Sequence, residues 1–323
     1  MNVGIIHPIR IDMPKLQWVH DALLSLGIPV MRGTSAADFP SLSQECDLVI
    51  LFQKGLSGRW PDLKAHFPLR KAIVVQWWND LIAYGGPLSD QTFIRSHGDL
   101  MRACDIVFVK EAGLLDEYKS LGINAHYLDQ GCAVDVRECV RSEVPRWDVL
   151  VWGTAGRTYR QRMRDAADLV QAGFSVAWAS QGEAPPRGVQ QLPWCHPDKL
   201  PELAGQASCV LCVDKRHDLA GYASDRLWMA LGMGCAVIRR ETPGLPEGPY
   251  VRYAARGDLL DKTRELLARR EGHAVTPGWP PAVLKLGKEA RSWCLANHTL
   301  AHRCRELLRV VSAHTATALA GSR

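Results

Sequence analysis

Three consecutive side chains, Ser224-Asp225-Arg226, place a hydroxyl, a carboxylate and a guanidinium ahead of an amphipathic run. That run ends in Gly232-x-Gly234 and passes into an apolar segment, 235–238. Ser224 or Asp225 suits a helix N-cap, where a side-chain oxygen satisfies an orphan backbone N–H. Capping does not account for Arg226, because a cation in the first turn opposes the helix dipole. An anion docked at the same helix end would account for it. A second turn has matching chemistry: Gly153-Thr154 follows the apolar 149–152 and precedes Arg157, Arg160 and Arg162. Glycine admits close backbone approach, a helix start aims N–H groups at an anion, and an arginine fork completes a phosphate clamp. Arginines on a solvated helix face are the competing reading, and the position favours one of the three rather than all. His7 and Asp80 follow apolar runs, where an imidazole or a carboxylate can serve as a general base, Asp80 ahead of His7. Trp77 and Trp78 either stack on a ligand ring or fill the core.

These side chains need strands that end where the chemistry begins. The first half alternates short β-rich runs with helical patterns: "VGIIH" (3–7), "IPVMRG" (28–33), "CDLVILF" (46–52), "KAIVVQWW" (71–78), "CDIVFVK" (104–110) and "NAHYLD" (124–129). A helical run over 111–121 stops at Gly122. The pattern lapses into a polar link around 134–148 and begins again with "DVLVWGT" (148–154), helical "RQRMRDAADLVQAG" (160–173), "FSVAWAS" (174–180), helical "PDKLPELAGQ" (197–206) and "ASCVLCVD" (207–214). Strands alternating with helices imply parallel β-α-β units. The expected fold is α/β, two doubly wound Rossmann-like domains, 1–145 and 146–323, facing across a cleft. The tail predicts long amphipathic helices.

Composition narrows the classes. The chain has 323 residues, is 47% hydrophobic and carries a formal charge of +5. Residues 1–145 hold 14 Lys and Arg against 17 Asp and Glu, and residues 146–323 hold 25 against 17. An anion met by the second half, or an ordinary solvated surface, would each explain the excess. No apolar run approaches the ~20 residues of a membrane span, and no signal peptide is evident, so no membrane insertion and a cytoplasmic setting are expected. The ten cysteines include one close pair, Cys209-x-x-Cys212, inside a strand pattern, which favours buried free thiols over disulfides or zinc. Neither Gly-x-Gly-x-x-Gly nor a Walker lysine occurs, so a resident NAD, FAD or ATP site is unsupported. His298 and His302 are four apart on a helical pattern, and packing or capping is favoured over a metal site.

The run "SDRLWMALGMGCAVI", followed by "PGL" (243–245) and later by "NHTLAHRCRELL" (297–308), resembles the C-terminal half of GT-B glycosyltransferases. The branch it is most similar to includes CgeB-like spore-maturation proteins and many bacterial and phage enzymes. "DVLVWGTAGRTYRQR" is similar to the strand and arginine-bearing helix that open the family's donor domain. The resemblance spans about 148–310 and is weak over 1–147.

The resemblance implies a metal-independent glycosyltransferase, without a resident cofactor, that uses a nucleotide-diphosphate sugar, UDP-sugar first, and a protein, glycan or lipid-linked acceptor hydroxyl. Gly153, Thr154 and an arginine among Arg157, Arg160 and Arg162 would line the diphosphate. Ser224, Asp225 and Arg226 would reach phosphate or sugar, and Pro243, Gly244 and Leu245 would flank the sugar. Where many relatives carry a ribose-binding glutamate, this chain has Met229. Transfer to a modified DNA base is the second reading; a sugar-nucleotide epimerase and an inactive donor-binding module stand behind it. The terminal helices are expected to cross back to the first domain.

Overall fold

The computed structural model describes residues 1–7, 14–52, 63–78, 92–156, 159–268 and 278–321. The chain divides into two units. One comprises Met1–Val134, Leu219–Tyr222 and the chain from Thr299; the other comprises Asp135–Asp218 and Ala223–His298.

In the first unit, β1 (Val3–Ile6), β2 (Val30–Gly33), β3 (Leu48–Phe52), β4 (Ile73–Trp77), β5 (Ile106–Val109) and β6 (Ala125–Tyr127) form a parallel sheet in the order 2-1-3-4-5-6. β1, β3 and β5 are buried along their whole length, which is why they read as unbroken apolar runs. Alternate residues serve two cores. Ile6, Val49, Leu51, Val74 and Val107 meet Phe39 and Leu42 of α2 (Phe39–Glu45) and Leu100 of α3 (Thr92–Ala103). Val3, Ile5, Ile50, Val75 and Phe108 meet Val19 and Leu23 of α1 (Pro14–Ser25) and Leu307 of α10 (Leu300–Gly321). The helical run over 111–121 forms a short 3₁₀ turn followed by α4 (Leu115–Ser120). Trp77 and Trp78 are 2% and 1% exposed, and Trp77 stands edge-on to Phe52 at 5.5 Å. They fill the two cores rather than offer a stacking surface.

The second unit repeats the plan. β7 (Trp147–Trp152), β8 (Val176–Ala179), β9 (Gln190–Leu192), β10 (Ala207–Cys212), β11 (Val237–Arg240) and β12 (Val251–Tyr253) pair in parallel in the order 12-11-10-7-8-9. The direction of winding reverses between β7 and β10, and in such sheets ligands collect beyond the carboxyl ends at that point. The edge strands β9 and β12 escape sequence reading because each is three residues long, β9 mostly exposed and β12 broken by the exposed Arg252. α5 (Arg160–Gln171) and α8 (Arg256–Leu266) cover one face through Leu169, Leu259 and Leu266, and α6 (Leu200–Ala204) leads into β10.

The helix opened by the Ser-Asp-Arg triplet is α7 (Asp225–Gly232), and its Leu227, Ala230 and Leu231 are buried. It packs on α9 (Pro281–Asn297). Its C-terminal end is held by cations: Arg291 donates to the Gly232 carbonyl, and Arg141 donates to that of Gly234 at 2.9 Å. This is the end where the helix dipole favours positive charge. The long amphipathic tail is two helices, α9 and α10, rather than one. At the break the His298 ring lies 4.4 Å from Trp228 and 4.2 Å from Trp293, Leu300 N–H donates to Cys132, and His302 Nδ1 lies 2.7 Å from the Thr299 hydroxyl. The two histidines thus pack and cap. All ten cysteines are free thiols, nine of them buried and Cys195 partly exposed. No helix among the described residues is long and apolar enough to cross a membrane.

Gly287 of α9 lies against the Gly234 carbonyl, which a Cβ would overlap. Gly287→Ala should therefore lower stability by about 1–3 kcal/mol in urea unfolding. Gly257→Ala, in the first turn of α8 with nothing within 4 Å of its Cβ position, should be neutral or stabilising by up to ~1 kcal/mol. Equal stability of Gly287→Ala and the parent would show that this close approach is absent.

Candidate active site

The site belongs to the second unit and is built where β7, β10 and β11 end. β7 runs out at Trp152, and Gly153 follows with φ 104°. Its N–H donates to Ala179 at 3.0 Å and its carbonyl accepts from Trp178 Nε1 at 2.9 Å, so the turn is tied to β8. A Cβ on Gly153 would occupy the space of the Arg226 guanidinium. The two turns singled out from the sequence are therefore one place: the cation of α7 lies over the glycine of β7.

Asp214, two residues beyond β10, organises that cation. Its side chain is 2% exposed, with Arg226 Nη2 at 3.7 Å from Oδ1 and Arg239 Nη2 at 3.3 Å from Oδ2. The Ser224 N–H donates to Oδ1 at 3.2 Å, fixing the start of α7 to the end of β10. The Ser224 backbone has N-cap geometry, yet its hydroxyl does not cap the helix. Arg239, at the end of β11, is equally buried and donates from Nη2 to Thr242 Oγ1 at 2.8 Å and from Nε to the Arg240 carbonyl at 3.0 Å. Thr242 leads into Pro243-Gly244-Leu245, so the loop expected beside a sugar starts at the cluster. Gly244 is exposed, Leu245 partly buried.

Arg162 is the buried arginine of α5, 1% exposed. Its Nε and Nη2 donate to the Val213 carbonyl at 3.0 and 2.8 Å, and its Nη1 donates to the Thr154 carbonyl at 2.9 Å. It knits the ends of β7 and β10 together and contributes its charge from beneath the site. Thr154 is exposed, and Asp225 is partly buried in the first turn of α7. Arg160 is exposed to solvent and takes no part in these bonds, because the first turn of α5 points it outward. Arg157 lies outside the described residues. Met229 is buried, 7% exposed.

The electrostatics follow from three guanidiniums around one carboxylate. Burial alone would raise the Asp214 pKa, but Arg239 and then Arg226 outweigh it and hold the carboxyl below its ordinary value. Burial, followed by the charge of Arg226, lowers Arg162 to about 9, which leaves it protonated at neutral pH. Burial raises the Cys212 thiol to about 12, so it stays neutral. The loop after Asp214 adds Lys215, with its ammonium 5.6 Å from the Tyr159 ring centre, and Arg216, paired with Asp218 at 2.7 Å. Burial, then Arg240, pushes the His217 imidazole below its usual pKa. The result is a cationic cluster beside the N-terminus of an eight-residue helix, an arrangement suited to a phosphate-bearing ligand.

Asp214 and Arg239 were not among the residues singled out from the sequence. Their signal is positional: each is a charged residue closing an otherwise apolar strand run, "ASCVLCVD" and "CAVIR". Of the proposed bases, His7 follows β1 in the first unit; it is 2% exposed, and its ring centre lies 5.9 Å from that of Phe52. Asp80 lies outside the described residues. No group of three or more His, Cys, Asp or Glu able to hold a metal occurs among the described residues.

A carboxylate whose pKa is depressed in the folded state stabilises above its unfolded pKa and loses that contribution as pH falls through the folded value. Asp214→Asn should therefore cost about 3–5 kcal/mol at pH 7, the usual cost of breaking a buried pair from one side. The deficit should shrink below about pH 4, where the parent carboxylate also protonates. Urea unfolding of both proteins from pH 7 to pH 3 checks this; a deficit constant with pH would contradict it.

Solved structures with the same fold include the DNA-modifying enzyme β-glucosyltransferase, studied with and without uridine diphosphoglucose, at TM-score 0.67 and 12% identity over 97% of this chain and 100% of that one. A glycosyltransferase of avilamycin A biosynthesis matches at TM-score 0.61 and 12% identity over 95% and 96% of the two chains. The lipopolysaccharide outer core galactosyltransferase WaaB matches at TM-score 0.57 and 9% identity over 97% and 100%. A search of curated proteins finds no match. A family model described as glycosyl transferase-like matches residues 136–309, more than half of the sequence and nearly all of the second unit with its arginine cluster. With two doubly wound parallel units of the GT-B type and that match, the chain belongs to the glycosyl transferase-like family.

Proposed function

We propose that this glycosyltransferase binds the diphosphate of a nucleotide-diphosphate sugar, a UDP-sugar first, at the Arg226–Asp214–Arg239 cluster and passes the sugar to an acceptor hydroxyl. The observation that carries the reading is the Arg226 guanidinium held over Gly153, at the β7/β10 reversal, by a buried carboxylate. Breaking the bond between sugar and diphosphate leaves negative charge on the departing oxygen. Fixed cations and helix N–H groups stabilise such charge without reorganising, which is where an enzyme gains most. T4 phage BGT, of the same fold at TM-score 0.57, has been solved with UDP-glucose. Arginines supply the charge that a divalent ion would otherwise bring, so transfer is proposed to need no metal. Asp80, ahead of His7, is the proposed base. Ten free thiols suit a reducing, cytoplasmic setting.

A protein, glycan or lipid-linked acceptor stands first, and a modified DNA base second. The fold shared with a DNA-modifying glucosyltransferase favours the second, whereas the acidic balance of 1–145, the acceptor side, with the basic excess on the donor side, ranks it below the first. Binding to duplex DNA that weakens steeply with salt would promote it.

UDP-glucose and other nucleotide sugars, screened by thermal shift, should stabilise the parent protein. Arg226→Ala should abolish that shift and lower kcat/KM by roughly 10²–10³. Arg160→Ala, altering an exposed side chain, should keep it. An undiminished shift in Arg226→Ala would remove this cluster from donor binding.

A further inference from the structure

The proposed site contains a carboxylate where an anion is to bind, and its position says what it is for. Asp214 is 2% exposed, so it lies behind the guanidiniums rather than among the ligand-facing groups. Arg226, 17% exposed, is the member that reaches solvent. A pocket built only to grip phosphate as tightly as its framework allows would have a neutral residue at 214. Orienting Arg226 and Arg239 could be left to carbonyls, as it is for Arg162. The carboxylate instead subtracts one charge from three.

That subtraction matters because transfer changes the charge of what occupies the pocket. The bond between the sugar carbon and the terminal phosphate oxygen breaks, and its electron pair stays on that oxygen. The acceptor oxygen takes the carbon and gives its proton to the general base. A nucleotide-diphosphate sugar carries about two negative charges. The nucleoside diphosphate left behind carries about three once its terminal phosphate, of pKa about 6, has ionised. Every positive charge in the pocket therefore holds product more tightly than donor, and the excess grows with net pocket charge. We infer that Asp214 sets the pocket charge so that the sugar donor competes with the nucleoside diphosphate the reaction releases, making it a specificity-determining residue that acts through Arg226 and Arg239. This rests on the nucleotide-sugar reading above.

Neighbouring charges do not duplicate this role. Arg216 is neutralised by Asp218, and the Arg240 guanidinium lies 6.0 Å from the ring centre of Tyr253, whose hydroxyl donates to Asp165. Asp214 is the carboxylate that the Arg226 and Arg239 side chains share.

The test compares dissociation constants for two ligand pairs, UDP with UDP-glucose and GDP with GDP-mannose, by calorimetry at pH 7.5. Loss of tethering in Asp214→Asn weakens donor and product alike, whereas loss of the charge acts unequally. The ratio of donor to product dissociation constants should rise on the order of tenfold in Asp214→Asn. It should stay at the parent value in Asp214→Glu and fall in Arg239→Gln, which removes a positive charge. Arg239→Gln keeps the inference testable if Asp214→Asn does not fold. A ratio unchanged in either neutralising variant would reduce Asp214 to a structural tether and overturn the inference, leaving the nucleotide-sugar reading standing. A parent protein that binds neither pair would overturn that reading, and this one with it.

Discussion

A single buried carboxylate holds together the end of the second unit where the candidate site lies. Asp214 reaches the end of β11 through Arg239 and the start of α7 through both Arg226 and the Ser224 N–H. Burying a lone carboxylate costs several kcal/mol, and here that cost is offset by two guanidiniums and a backbone N–H within one small volume. The same contacts fix Arg226 over Gly153, so the stability of the region and the geometry of the pocket are one set of interactions.

The fold supplies this cluster through its winding. Parallel strands end on the same side, and in such sheets a reversal like that between β7 and β10 opens a crevice beyond the strand ends. Into it project the turns after β7, β10 and β11. Arg162 closes the floor by bonding the carbonyls of Thr154 and Val213. α7 is held at its far end by Arg141 and Arg291, so its N-terminus presents a fixed dipole to whatever binds.

The glycines at these junctions follow the same logic. Gly153 leaves room for a guanidinium, and Gly287 lets α9 approach the backbone at Gly234, seating α7. Each marks a place where a side chain would displace something the site needs.

Where the strands of both units lie was close to legible in the sequence, because doubly buried parallel strands read as apolar runs with polar ends. β9 and β12 were not, each being three residues long with at least one exposed residue. The tail's division into α9 and α10 was hidden as well, since the helical periodicity barely changes where Thr299 pairs with Cys132. At the site, sequence alone determined that Gly153 and Arg226 stand at strand and helix ends suited to an anion. Only the tertiary structure decided that they touch, that Arg162 rather than Arg160 lies inside, and that Asp214 and Arg239 belong with them. Periodicity records which face of an element is buried, but a charge cluster across two strand ends and a helix start is set by how the sheet winds, and that information is not local.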